Sequence, residues 1–119
     1  MRYACLVYLD PTTAFDGSPE NNAILAEAGP ASRELTARGV VNVALTLPAE
    51  AVTVRMRNSK MRKTDGPFME TKEMLAGFVL IEAADMDAAI AEAATNPMAK
   101  LGAVEIRPLV DFSKPRPVL

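Results

Sequence analysis

A chain of 119 residues with a formal net charge of −2 and a pI near 5.1 suits one domain and carries no surplus of cations for general nucleic-acid binding, which draws on phosphate neutralisation by excess Lys and Arg. It contains no histidine, which removes imidazole-based triads, the usual near-neutral general base and the commonest transition-metal ligand. The single cysteine, Cys5, closes no intrachain disulfide, which fits a reducing cytoplasm.

Arg2 to Leu9 is apolar on both alternating sets, with Ala4, Leu6 and Tyr8 on one and Tyr3, Cys5, Val7 and Leu9 on the other. Such a strand needs cover on both faces, and we expect helices on one and a second subunit on the other. The start of the chain lacks the length of a signal or membrane-spanning segment. Asp10 to Gly17, rich in Pro, Thr, Asp and Gly, reads as a loop. Ser18 before Pro19 predicts an N-cap with proline in the first helical position, and Glu20 favours the helix dipole. Ile24, Ala28, Ala31 and Leu35 keep helical spacing through to Arg38, where Gly39 supplies the stop. Gly29-Pro30 predicts a kink or a break in that helix.

Val40 to Leu47 reads as the second strand. After Pro48, Val52, Val54 and Met56 alternate with Thr53, Arg55 and Arg57. Asn58-Ser59 then turns the chain, so residues 52 to 65 form a β-hairpin. Its cations, Arg55, Arg57, Lys60, Arg62 and Lys63, either attract an anionic ligand or partner or keep an edge hairpin soluble by charge. Gly77 to Ala83 is the third main strand, apolar on both faces. Asp85 caps a second helix whose Met86, Ala89, Ile90, Ala93 and Ala94 form a core stripe, ended by Asn96-Pro97. Ala103 to Leu109 is the last strand, and Ser113 to Leu119 an extended tail. With the hairpin set aside, the order is strand, helix, strand, strand, helix, strand. That order builds a four-stranded antiparallel sheet with both helices on one face.

Between hairpin and third strand lies the stretch Asp65-Gly66-Pro67-Phe68-Met69-Glu70-Thr71-Lys72-Glu73. Asp-Gly-Pro continues neither strand nor helix, because glycine invites positive φ, proline lacks a donor, and the residue before proline is pushed out of the α region. The bend therefore presents carboxylates and an ammonium on a short, sterically fixed segment. In the last strand Glu105 and Arg107 alternate with Val104 and Ile106. Val104 and Ile106 suit the helix layer, which puts Glu105 and Arg107 on the opposite face. If that face is buried these charges require partners; Glu105 with Lys72, or Arg107 with Asp65 or Glu70, are the expected pairings, and the sequence alone does not choose between them.

Asp65 to Glu73, followed by Leu75-Ala76-Gly77-Phe78-Val79-Leu80-Ile81 and by Gly102-Ala103-Val104-Glu105-Ile106-Arg107-Pro108-Leu109, resembles the DGPF-domain proteins, a branch of the YCII-related family. The likeness keeps the same order from the first strand to about Phe112, so residues 1 to 112 are expected to be a single domain and 113 to 119 a tail. The resemblance implies an α+β, ferredoxin-like βαββαβ subunit with an inserted hairpin, pairing into a dimeric α+β barrel. Proteins of the YCII type resemble one another in a His and Asp pair set in the cavity. This sequence has no histidine, so that pair does not carry over. Asp65, Gly66, Pro67, Phe68, Glu70, Lys72, Glu73, Glu105 and Arg107 match the DGPF pattern residue by residue.

Two readings of these groups follow. In one they are a buried ion network that fixes the bend and aligns subunits. In the other a homodimer cavity binds a small anionic metabolite through Phe68, Lys72, Glu105 and Arg107, with Asp65 or Glu70 as general base in a cofactor-free isomerisation or elimination. Neither reading uses a metal or a cofactor, since the carboxylates have no imidazole or cysteine cluster beside them. Cys5 lies mid-strand with no base next to it and reads as a small buried hydrophobe. An alternative from a different class is a non-catalytic accessory or ligand-sensing protein. The resemblance adds a partner class for it, because DGPF-family genes often neighbour those of extracytoplasmic-function sigma factors.

Overall fold

The computed structural model describes residues 1–115. Strand β1 (Arg2–Leu9) is followed by a short helix α1 (Pro11–Ala14), a long helix α2 (Pro19–Ala37) and strand β2 (Val41–Ala44). Then come β3 (Val52–Arg57), β4 (Lys60–Asp65), β5 (Met74–Glu82), helix α3 (Met86–Ala93) and β6 (Ala103–Pro108). The four strands β2, β5, β1 and β6 lie side by side in that order, every pair antiparallel, while β3 and β4 pair only with each other. This mixed arrangement is compatible with a ferredoxin-like α+β fold.

Local chemistry explains the helix starts. The side chains of Asp10, Ser18 and Asp85 accept hydrogen bonds from the backbone N–H of Thr12, Asn21 and Ala88, so each helix begins on a satisfied donor. Pro11 and Pro19 occupy first-turn positions where the missing donor costs nothing. The loop expected over residues 10 to 17 therefore contains a helical turn, because Asp10-Pro11 is itself a cap followed by proline. Helix α2 also runs through Pro30 without a break. The clash that normally forbids helix before proline falls partly on the preceding Cβ, and Gly29 has none.

The core lies on one face of the sheet. Tyr3, Cys5, Val79 and Ile81 meet Ala89 and Ala93 of α3 there, with Leu35, Val104 and Ile106 packed at the margin. Helix α3 sits close because its contact residues are alanines. Helix α2 behaves differently: none of its 19 residues is buried. With a radius of gyration of 16.6 Å, against about 13 Å for a compact domain of this size, and extents of 51 × 36 × 25 Å, the chain is elongated.

At the β2–β5 seam, Gly77 sits opposite Ala44, and a methyl group on it would collide with the Val43 carbonyl and the Ala44 Cα. Only glycine lets the two strands approach this closely. Gly77→Ala is expected to cost about 1–3 kcal/mol by overpacking. Urea unfolding of the two proteins measures it, and equal midpoints would mean that β2 yields without strain.

Candidate functional site

The sheet face turned away from α2 and α3 is largely apolar, and among the described residues nothing covers it. Register places Val41 opposite Leu80, Val43 opposite Phe78 and Leu6 opposite both Phe78 and Glu105. Val41 is 51% exposed, and Val43, Leu45 and Leu75 are also exposed. Glu105 and Arg107 stand on this face on β6, as the alternation predicted, because their cross-strand partners Leu6 and Ala4 belong to the same set. They pair with one another, Arg107 Nε lying 3.9 Å from Glu105 Oε2, and both remain more than half exposed. The expected pairs of Glu105 with Lys72 and of Arg107 with Asp65 or Glu70 do not form within the chain. Among the described residues, Asp65, Glu70 and Lys72 join no ion pair. The physical reason is placement: residues 67 to 73 form an irregular, mostly solvent-exposed segment, and nearest-neighbour geometry on β6 favours the adjacent same-face charge.

Asp65 closes β4 opposite Val52. Gly66 follows at φ 101°, its N–H donating to the Ala51 carbonyl at 2.7 Å while its own carbonyl accepts from Thr53 Oγ1 at 3.0 Å. Those two bonds lock the bend to the base of the hairpin. Phe68 is 70% exposed, and the Arg55 guanidinium lies 5.5 Å from its ring centroid. A cation–π contact at an exposed site is worth about 0.5–1 kcal/mol. Phe68 therefore belongs to the hairpin's basic side, where Arg55 and Arg62 face each other across the strands. The opposite side of the hairpin carries Val52, Val54, Met56 and Met61, all exposed.

An open recess of about 380 Å3 is bordered by Tyr8, Glu73, Ala103, Val104 and Glu105. Two carboxylates, Glu73 from the bend and Glu105 from β6, thus border one hollow. Glu73 is the contact between bend and sheet that spacing alone does not reveal. A larger cavity, about 640 Å3, lies on the helix side between α2 and the sheet. Cys5 borders it at 2% exposure. Burial, and secondarily the Glu92 carboxylate, raises the Cys5 thiol above its usual range, so it holds its proton and is a poor nucleophile. The signal for this cavity was present in the run Ala28-Gly29-Pro30-Ala31-Ser32, which gives α2 little bulk to send inward. Among the described residues no group of three or more Cys, Asp and Glu side chains is placed to hold a metal ion, and no helix is long and apolar enough to cross a membrane.

Residues 1–113 match the YCII-related domain. The chain belongs to the YCII-related family. An uncharacterised protein of Rhizobium meliloti (strain 1021) is 34% identical over 114 residues, covering 92% of each chain. In this YCII-related chain residues 66 to 73 join no strand, and Glu73 borders the recess beside Glu105 of β6.

Asp10 lies near Lys72. Its carboxylate accepts from the Thr12 hydroxyl at 2.7 Å and the Thr12 N–H at 3.0 Å, and from Thr13 Oγ1 at 3.3 Å. The Thr12 hydroxyl above all holds this carboxyl below its ordinary value, and Lys72 contributes least. A depressed folded pKa adds stability that is present above the unfolded value of about 3.9 and lost as pH falls through the folded one. Asp10→Asn, which keeps a capping oxygen but cannot titrate, is expected to flatten the acid limb of the stability profile below about pH 4. Urea midpoints collected across that range check it, and superimposable limbs would show that the Thr12 bonds do not favour the carboxylate.

Proposed function

We propose that two copies of this chain stack their uncovered sheet faces into a dimeric α+β barrel, and that the space closed between them binds a small anionic metabolite. The observation that carries this reading is the exposed apolar face formed by Val41, Val43, Leu75 and their neighbours, with Glu105 and Arg107 set into it. An apolar patch rimmed by charge is the usual mark of an association surface. In the dimer, Arg107 turns from Glu105 to the ligand's anionic group, since a guanidinium binds carboxylate or phosphate with two parallel donors. The partner copy supplies Phe68 and Lys72 of its bend to the pocket wall. Once the partner excludes water, the Asp65 or Glu70 carboxylate takes a proton from the bound ligand. It either returns that proton to another ligand atom as the double bond shifts, or gives it to a group that leaves with its bonding pair while the C–H electrons form the new double bond. That is cofactor-free isomerase or lyase chemistry.

A second reading, an accessory partner of a transcription regulator such as an extracytoplasmic-function sigma factor, draws on the hairpin. Its basic side and its apolar side are both exposed, and an isolated two-stranded hairpin is marginal until something covers it.

Sedimentation equilibrium is expected to show a dimer that Phe78→Glu converts to monomer. Calorimetric titration with malonate and with inorganic phosphate is expected to show binding weakened about tenfold by Arg107→Met, the scale of one charge-assisted hydrogen bond, and retained in Asp65→Asn. A monomer at all concentrations, or anion binding indifferent to Arg107→Met, removes the pocket reading. Loss of regulator capture on neutralising Arg55 and Arg57, with Arg107→Met silent, selects the accessory one.

A further inference from the structure

The cavity beneath α2 lies on the opposite side of the sheet from the face assigned to dimerisation. Its roof is held by polar struts at its edges. Ser32 Oγ donates to the Asn42 side-chain oxygen, and Asn42 Nδ2 donates to Thr36 Oγ1 at 3.0 Å, tying α2 to β2. Arg38 pairs with Glu92 of α3 at 3.3 Å, and Lys100 pairs with Glu27 at 3.2 Å. Between these struts Leu25, Ala28 and Ala31 border the cavity together with Val79 and Met74, Leu35 packs at the margin of the core, and none of the four α2 residues is buried. The strut lengths set the height of the roof, and the alanines leave the gap below it unfilled.

About 640 Å3 falls in the range of small-molecule sites, which are mostly apolar with a few placed polar groups. Apolar cavities take up apolar molecules because their walls offer water too few hydrogen bonds. Charge at the border narrows the class further. Among the described residues the charged groups bordering the cavity are Glu34, Glu92 and Arg38, and Arg38 is already engaged by Glu92. With Arg38 and Glu92 spent on one another, an anionic head would meet the unpaired Glu34 carboxylate and no free cation.

We infer that the space between α2 and the sheet is a binding site for a small, largely apolar molecule whose polar end is neutral or cationic. Small roof residues provide the volume, the polar struts keep it open, and the acidic border rejects fatty-acid-like anions. The site lies on the helix side of the sheet, shares Val43, Leu45 and Phe78 along the β2 edge with the opposite face, and takes a ligand of opposite character.

Two fluorescent probes share one aromatic body and differ by a sulfonate: N-phenyl-1-naphthylamine, which is neutral, and 8-anilinonaphthalene-1-sulfonate. The full chain is expected to bind the neutral probe at least about tenfold more tightly, a difference of about 1.4 kcal/mol. Methionine-methyl NMR locates the probe. Met74 and Met98 border the cavity, whereas Met56 and Met61 lie on the hairpin, so only the first pair should shift on titration. Ala28→Phe fills the roof and is expected to abolish the shifts of Met74 and Met98. If that variant does not fold, the methyl shifts in the parent chain still decide the question. Failure of the neutral probe to move Met74 or Met98, or sulfonate binding as tight as the neutral probe's, overturns the inference.

Discussion

Burial demand on the two central strands governs the rest of the molecule. β1 and β5 carry apolar side chains on both faces, and water is a poor neighbour for either set. Helix α3 satisfies one face with closely packed alanines, and the register carries Val104 and Ile106 to the same side. The opposite face has no helix on it, which is why Val41, Val43 and Leu75 are exposed in an otherwise ordered sheet. Glu105 and Arg107 sit at the margin of this face because β6 is an edge strand with one side left for charge.

Charge is unevenly spread over the chain. Residues 52–65 carry five cations and one acid in a chain of net −2, so the remainder is strongly acidic. Strand alternation gives the hairpin a basic side, where Arg55 opposes Arg62 and Arg57 opposes Lys60, and a second side on which Val52, Val54, Met56 and Met61 are joined by Lys63 and Asp65. Like charges directly opposite each other destabilise a hairpin. Arg55 is partly relieved by lying over Phe68, which couples the hairpin to the bend. Gly66, bonded to both Ala51 and Thr53, makes the same connection through the backbone. Hairpin and bend are thus one structural unit joined to the sheet mainly through its ends.

The two long helices use different means to stay on the sheet. Helix α3 relies on apolar contact through Ala89 and Ala93. Helix α2 relies on polar ties from Ser32, Thr36, Arg38 and Glu27 at its edges. An empty enclosed void of about 640 Å3, at about 24 cal/mol per Å3, would offset a domain's whole net stability. A helix can be held at that height only over a space that opens to solvent or takes up another molecule.

The sequence by itself determined the order of the strands and of the two longer helices, because each signal is local. Period-two runs marked the strands, Ser18-Pro19 and Asp85 marked helix starts through single hydrogen bonds, and Asn58-Ser59 marked a turn whose residues both adopt positive φ. Alternation alone also placed Glu105 and Arg107 on the face opposite Val104 and Ile106. The stacking of Arg55 on Phe68, the height of α2 and the failure of Glu105 and Arg107 to find Lys72, Asp65 or Glu70 were decided only by tertiary structure. Each depends on distances between groups far apart in the chain, whereas the unbroken path through Gly29-Pro30 follows locally from the Cβ that Gly29 lacks. The last four residues of the expected tail, 116–119, lie outside the described residues. Spacing along a chain fixes which side of an element a residue occupies; only the packed arrangement fixes what it meets there.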